Sequence, residues 1–149
     1  MKLLLAIDNS DYSAAAVREV AMRLWPPNTM VRVLSVVEPV TPPAAELWYD
    51  AGGSLEQVQQ EMTKRATQLT TSTAERLKRK GLTVDSAVRE GDARSLIVDE
   101  ARNWSADLIV LGSHGYTGIK RLLLGSIALY VVSHAPCSVE VVRQQSEQI

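Results

Sequence analysis

The sequence predicts one α/β domain, a doubly wound parallel sheet with helices on both faces. Three observations carry that expectation. Short β-branched apolar runs alternate with longer segments of helical periodicity, in the order β-α-β-α-β-α-β-α-β. Two of those runs, at 3–7 and 107–111, are nearly continuously apolar, as strands covered on both faces require. The length, 149 residues, suits a single domain, 1–149, and no linker, internal repeat or low-complexity segment divides it.

The elements follow in order. Residues 3–7, Leu-Leu-Leu-Ala-Ile, form the first strand, and Asp8-Asn9-Ser10-Asp11 supply turn and capping chemistry. Ala14, Val17, Ala21 and Leu24 recur at helical spacing until Pro26-Pro27 stops the helix. Residues 31–37 are the second strand. The proline- and glycine-rich stretch 38–53, with Trp48 and Tyr49, reads as a long surface connection. Leu55, Val58, Met62, Ala66, Leu69 and Leu77 then mark one amphipathic helix over 54–80, ended by Gly81. Residues 82–88 alternate apolar and polar side chains, which places this strand at an outer, half-wet position. Asp92 caps a helix carrying Ile97, Ala101 and Trp104, and 107–111 is the fourth strand. A glycine-rich segment leads to a helix over about 126–134 and a last strand at 138–142.

Composition narrows the function classes. The formal net charge is -1, which argues against a nucleic-acid binder working by bulk electrostatics. No apolar run approaches the ~18 residues of a membrane span. The start Met1-Lys2-Leu3-Leu4-Leu5-Ala6-Ile7 resembles a signal peptide only briefly, because Asp8 and Asp11 follow too soon. The single cysteine, Cys137, excludes an internal disulfide framework and fits a reducing, cytoplasmic setting.

In a doubly wound sheet the ligand sits beyond the carboxyl ends of the strands, where the winding reverses. Asp8 ends the first strand and Gly112 the fourth. From Gly112 the chain reads Gly-Ser-His-Gly-Tyr-Thr-Gly-Ile-Lys-Arg-Leu-Leu-Leu-Gly-Ser. Glycines at 112, 115 and 118 leave the main chain bare, so that it can approach a phosphate and adopt positive φ. Gly125-Ser126 opens a helix whose free N–H groups and dipole favour an anion, with the Ser126 hydroxyl as a further donor. Lys120 and Arg121 lie between the two and add positive field. The string is neither G-x-x-x-x-G-K-S/T nor G-x-G-x-x-G after the first strand.

The sequence resembles the universal stress protein family, whose nucleotide-binding members share G-x2-G-x9-G-S/T. Gly112, Gly115, Gly125 and Ser126 match every position, and the closing His-Ala-Pro-Cys-Ser-Val and the first strand ending in Asp8 are similar too. The resemblance covers the whole chain. It implies an adenine nucleotide alpha hydrolase-like fold with a five-stranded sheet in the order 3-2-1-4-5. It implies ATP, with Mg2+ or Mn2+, its triphosphate on the loop from Gly112 and on Gly125-Ser126. Asp8 would then lie near the ribose or adenine, and Val36 would contact adenine through its main chain. The candidate binding set is Asp8, Val36, Gly112, His114, Gly115, Gly125, Ser126 and Ile127. Two positions depart from the family: Asn9 stands where glycine is common, and Ala128 where a hydroxyl residue is common.

Other readings stand beside these. Asp8 can simply cap the first helix. His114 can serve as a general base, though a loop histidine without chemistry is the plainer reading. Lys120 and Arg121 read as solvated loop charges, and Trp48 and Tyr49 either cover the adenine or pack on the surface. His134 suits a helix C-terminus, and with Cys137 it supplies at most two metal ligands, too few for structural zinc. Val139 and Val141 make the last strand an apolar edge, which predicts a homodimer through antiparallel pairing with its copy. A slow ATPase and a nucleotide-free dimeric interaction protein remain as alternatives to an ATP-binding regulatory module. The missing Walker lysine and paired carboxylates disfavour an enzyme.

Overall fold

The computed structural model describes residues 1–40, 55–115 and 123–145. Its elements are β1 (Lys2–Ala6), α1 (Asp11–Met22), β2 (Met30–Val37), α2 (Leu55–Arg79), β3 (Thr83–Glu90), α3 (Ala93–Trp104), β4 (Leu108–Gly112), α4 (Ser126–His134) and β5 (Ser138–Val142). The five strands form one sheet in the order β3-β2-β1-β4-β5, every pair parallel. The winding direction therefore reverses between β1 and β4.

The apolar run of β1 divides its side chains between two cores. Leu3, Leu5 and Ile7 pack with Val17 and Val20 of α1 and Ala74 and Leu77 of α2. Leu4 and Ala6 pack on the opposite face with Ile97, Val98 and Ala101 of α3 and Val131 of α4. Leu3, Leu4 and Leu5 are each 0% exposed, which explains why the central strand is apolar on both faces. Burial of such a side chain is worth about 1.5–3 kcal/mol.

Three expectations are corrected. Leu24 is 96% exposed and Ala14 is also exposed, because the buried arc of α1 is Ser13, Ala15, Ala16, Val17, Val20 and Ala21. The helix ends at Met22, where Arg23 turns to extended backbone, so Leu24 leaves the helical face before the prolines are reached. In α2, Val58 and Met62 are exposed, and burial starts at Ala66 and continues through Thr70, Thr73, Ala74 and Leu77. The cause is length. The helix has 25 residues, about 37 Å, against 8 residues in β3, about 26 Å. Its first turns project past the carboxyl end of the sheet. The third correction concerns glycine: positive φ occurs at Gly81 and Gly91, not at Gly112, Gly115 or Gly125.

The terminators otherwise follow the residue chemistry. Gly81, at φ 89°, closes α2, and Leu82 N–H returns to the Leu77 carbonyl. Asp92 caps α3 by accepting from Ser95 N–H. β3 lies at one edge and exposes Thr83 and Asp85, the wetter face that its alternation implies, opposite the buried Val84. Asp85 and Glu100 receive the Arg32 guanidinium, which ties β3 and α3 to β2.

Candidate functional site

A cleft of about 650 Å³ opens at the carboxyl end of the sheet, at the reversal between β1 and β4. Its walls come from the ends of β1, β2 and β4, the starts of α3 and α4, and the overhanging turns of α2. Asp8, Val36, Gly112, His114, Gly115 and Ile127 line it. Gly125 and Ser126, at the N-terminus of α4, precede the lining residues Ile127 and Ala128 and are not themselves part of the lining. Gly118, Lys120, Arg121, Trp48 and Tyr49 lie outside the described residues.

Asp8 does not cap α1. Ser10 does, its hydroxyl accepting from Ser13 N–H. Asp8 is instead locked in the turn before the helix: Oδ1 accepts from Ser10 N–H at 2.9 Å and from the Ser13 hydroxyl at 2.9 Å, while its own N–H donates to Ser13 Oγ. Oδ2 lies on the Gly115 side, 3.1 Å from where a Gly115 Cβ would sit. The carboxylate is therefore held rigidly at the cleft, against the glycine loop.

The glycines are required by proximity. A Cβ at Gly112 would lie 2.6 Å from the Tyr12 carbonyl carbon. One at Gly125 would lie 3.0 Å from His114 Cα and 3.2 Å from the Ser113 oxygen, to which Gly125 N–H donates at 2.7 Å. The loop after β4 and the start of α4 are thus pressed together. His114 is half-buried between them, its Nδ1 3.1 Å from Ser113 Oγ and its ring 4.9 Å from that of Tyr12.

The helices α1, α3 and α4 start around this cleft, and their capping differs. α1 is capped by Ser10. α3 is capped by Asp92, and Glu38 Oε1 also accepts from Ala93 N–H at 3.4 Å. α4 starts at Gly125, with no side-chain cap among the described residues, and Leu129 N–H is the first to reach a helical carbonyl, that of Gly125. Two carboxylates disfavour a second anion at α3, whereas the first-turn amides of α4 face an electrostatically suitable opening.

Val36 is placed by strand parity. Leu34 accepts from Ile7 N–H, so the main-chain groups of Leu34 and Val36 point to the β1 side of β2. The last β1–β2 pair is Ala6 with Leu34. Val36 therefore turns its N–H and C=O toward the cleft, past the end of the neighbouring strand.

Sequence reasoning missed the fourth wall. Met62, Arg65, Ala66 and Leu69 of α2 line the cleft. Met62, Ala66 and Leu69 were legible as an apolar stripe, but the pattern alone does not separate core from cavity lining. Ser13 and Tyr12, which hold Asp8 and the loop, were also missed, whereas Ser10 belongs to the turn and capping run the sequence offers. Away from the cleft, burial pushes the Cys137 thiol above its ordinary value and Asp107 adds to this, as fits a packed thiol. His134 stacks on Tyr130. No group of three or more His, Cys, Asp or Glu suited to a metal occurs among the described residues. No helix among them is long and apolar enough to cross a membrane.

These features define a class: a doubly wound α/β domain with a cleft at the sheet's reversal, beside a helix start that has no side-chain cap among the described residues. The chain belongs to the universal stress protein family, whose model matches residues 1–143. It is 31% identical over 151 residues to universal stress protein MJ0531 of Methanocaldococcus jannaschii, covering 99% of this chain and 84% of that protein. It is 38% identical over 72 residues to universal stress protein Sll1388 of Synechocystis, covering 48% of this chain and 47% of that protein. The matched region thus spans about half the length of the Synechocystis relative. Among solved structures, protein MJ0577 superposes with a TM-score of 0.84 at 24% identity, covering 98% of this chain and 97% of that one. An Arabidopsis thaliana family protein with AMP bound gives 0.66 at 17% identity, covering 99% and 94%. A universal stress protein in complex with cAMP gives 0.60 at 21% identity, covering 95% of each. The fold is thus the adenine nucleotide alpha hydrolase-like one.

Proposed function

We propose that this chain is an ATP-binding universal stress protein, a module whose conformation or partner contacts follow its nucleotide state in the stress response. One observation supports it above the others: the start of α4, which has no side-chain cap among the described residues, is pressed against the bare loop of Gly112 and Gly115 at the sheet's reversal. The phosphates would rest on the first-turn amides of α4, from Ser126, Ile127 and Ala128, with Gly115 leaving their path open. Val36 would meet the base through its main chain, and Asp8 would take a ribose hydroxyl. His114 would flank the phosphates. Mg2+ or Mn2+ would arrive with the triphosphate, held by phosphate oxygens and water with at most one or two protein ligands. That relatives are crystallised with AMP and cAMP fits a nucleotide of this kind.

The chain would work in the cytoplasm as a homodimer, with no membrane or nucleic-acid partner. Parity supports the dimer edge. Ser113 N–H donates to the Val142 carbonyl, so Val142 and Glu140 turn their main-chain groups toward β4. Val139 and Val141 turn theirs to the open edge.

Calorimetric titration with ATP and magnesium tests the reading, and saturable heat with thermal stabilisation is the expected result. Gly115→Val should abolish the heat, because its side chain would fill the phosphate path beside Asp8. Neither heat nor stabilisation at millimolar ATP overturns the proposal.

A further inference from the structure

We infer that Arg65, on the overhanging turns of α2, is a base-binding contact that stacks on the heterocycle of the bound nucleotide. The inference rests on the nucleotide reading of the cleft. Arg65 is the one Lys or Arg among the described residues that line the cleft, whose lining also holds the carboxylates Asp8 and Glu38. It sits in a helical stripe of lining residues, Met62, Arg65, Ala66 and Leu69, at spacings of three and four. Gln68 also lines the cleft from α2, and the neighbours of Arg65 three residues before and four after it, Met62 and Leu69, are apolar.

Position decides which end of the ligand it meets. α4 packs on β5 and α2 on β2 and β3. The sheet order puts β1 and β4 between them. At the spacing of neighbouring strands, α2 and the phosphate-accepting start of α4 are about 10–15 Å apart. A nucleotide whose phosphates rest on α4 extends its base toward the end of β2, where Val36 turns its main chain into the cleft and α2 overhangs. The phosphate end is therefore beyond the reach expected of Arg65.

The side chain is also available for the task. It is 75% exposed and, among the described residues, paired only with Glu61, one turn away, at 3.3 Å, and that carboxylate is 55% exposed. Such an i,i+4 pair on a helix surface is weak and easily exchanged. A planar guanidinium laid on a heterocycle gains cation–π and stacking attraction, while the apolar neighbour Met62 excludes water from the ring. Burial of the base below Arg65 would leave Glu61 in water.

The test compares wild-type protein with Arg65→Ala and Arg65→Lys in titrations with ATP and with AMP. Because the residue is exposed, both variants should keep the thermal midpoint of the ligand-free protein. Expected is a loss of about three- to tenfold for both nucleotides in Arg65→Ala, with little rescue by lysine, since a compact ammonium does not stack. Unchanged affinity in Arg65→Ala overturns the inference and leaves nucleotide binding intact. A loss confined to ATP, or full rescue by lysine, also overturns it, because either means a phosphate contact. Wild-type protein that binds neither nucleotide removes the nucleotide reading and this inference with it.

Discussion

At the scale of single residues, close approach governs the site. Gly112 and Gly125 are the residues they are because a Cβ would strike main chain, that of Tyr12 in one case and of Ser113 and His114 in the other. A main chain cannot step aside as a flexible side chain can. Gly112→Ala is therefore expected to lower stability by about 1–3 kcal/mol, through displacement of the start of α1. Denaturant titration of the variant checks this, and a midpoint equal to wild type would show that α1 yields freely. Asp8 illustrates the same economy of space. One oxygen closes the turn before α1 through Ser10 and Ser13, and the other lies against Gly115. The residue couples the first strand's end to the loop that follows the fourth.

At the scale of elements, the helix ends carry the differences that matter. Serine closes α1 and two carboxylates close α3, while α4 is left to a glycine with no side-chain cap among the described residues. The opposite end of α1 is tied to the sheet. The Arg23 guanidinium makes two 2.6 Å bonds to the Glu140 carboxylate of β5 and a further one to Glu19. These bonds, Glu140 first, hold the Arg23 pKa above its ordinary value. Both side chains are about one-third exposed, so solvent weakens the pair. A double-mutant cycle over Arg23→Ala and Glu140→Ala should give a coupling energy of about 0.5–1 kcal/mol, smaller in high salt. Additivity within error would mean that the bidentate geometry contributes nothing to stability.

At the scale of the molecule, the exposed edge of β5 is the feature that calls for a second copy. Val139 and Val141 pack their side chains against the core beneath α4, while strand parity sends their main-chain groups outward. Val141→Pro deletes one outward donor and spares the ladder to β4, since proline is tolerated on edge strands. Light scattering should report a dimer for wild type and a monomer for this variant at micromolar concentration. A dimer that survives the substitution would place the interface elsewhere. Residues 143–145 are exposed and do not bury this edge.

The order of elements, the buried strands, the caps at Asp92 and Gly81 and the presence of a cleft at the carboxyl end of the sheet were all legible in the sequence. Each rests on local chemistry or on periodicity, and both are written along the chain. The spaced glycines were legible too, but not their reason. The sequence suggested unusual backbone angles, whereas the fold uses glycine for contact between segments far apart in sequence, such as Tyr12 with Gly112. Leu24 and Met62 were misplaced for a related cause: periodicity reports a face, not where a helix stops or how far it outruns the sheet. The sequence by itself determined the layers and the strand that each cleft residue follows. Only the tertiary structure decided that α2 supplies a wall, that Ser10 rather than Asp8 caps α1, and that α4 starts without a side-chain cap among the described residues, because these depend on distances between elements that no local pattern encodes.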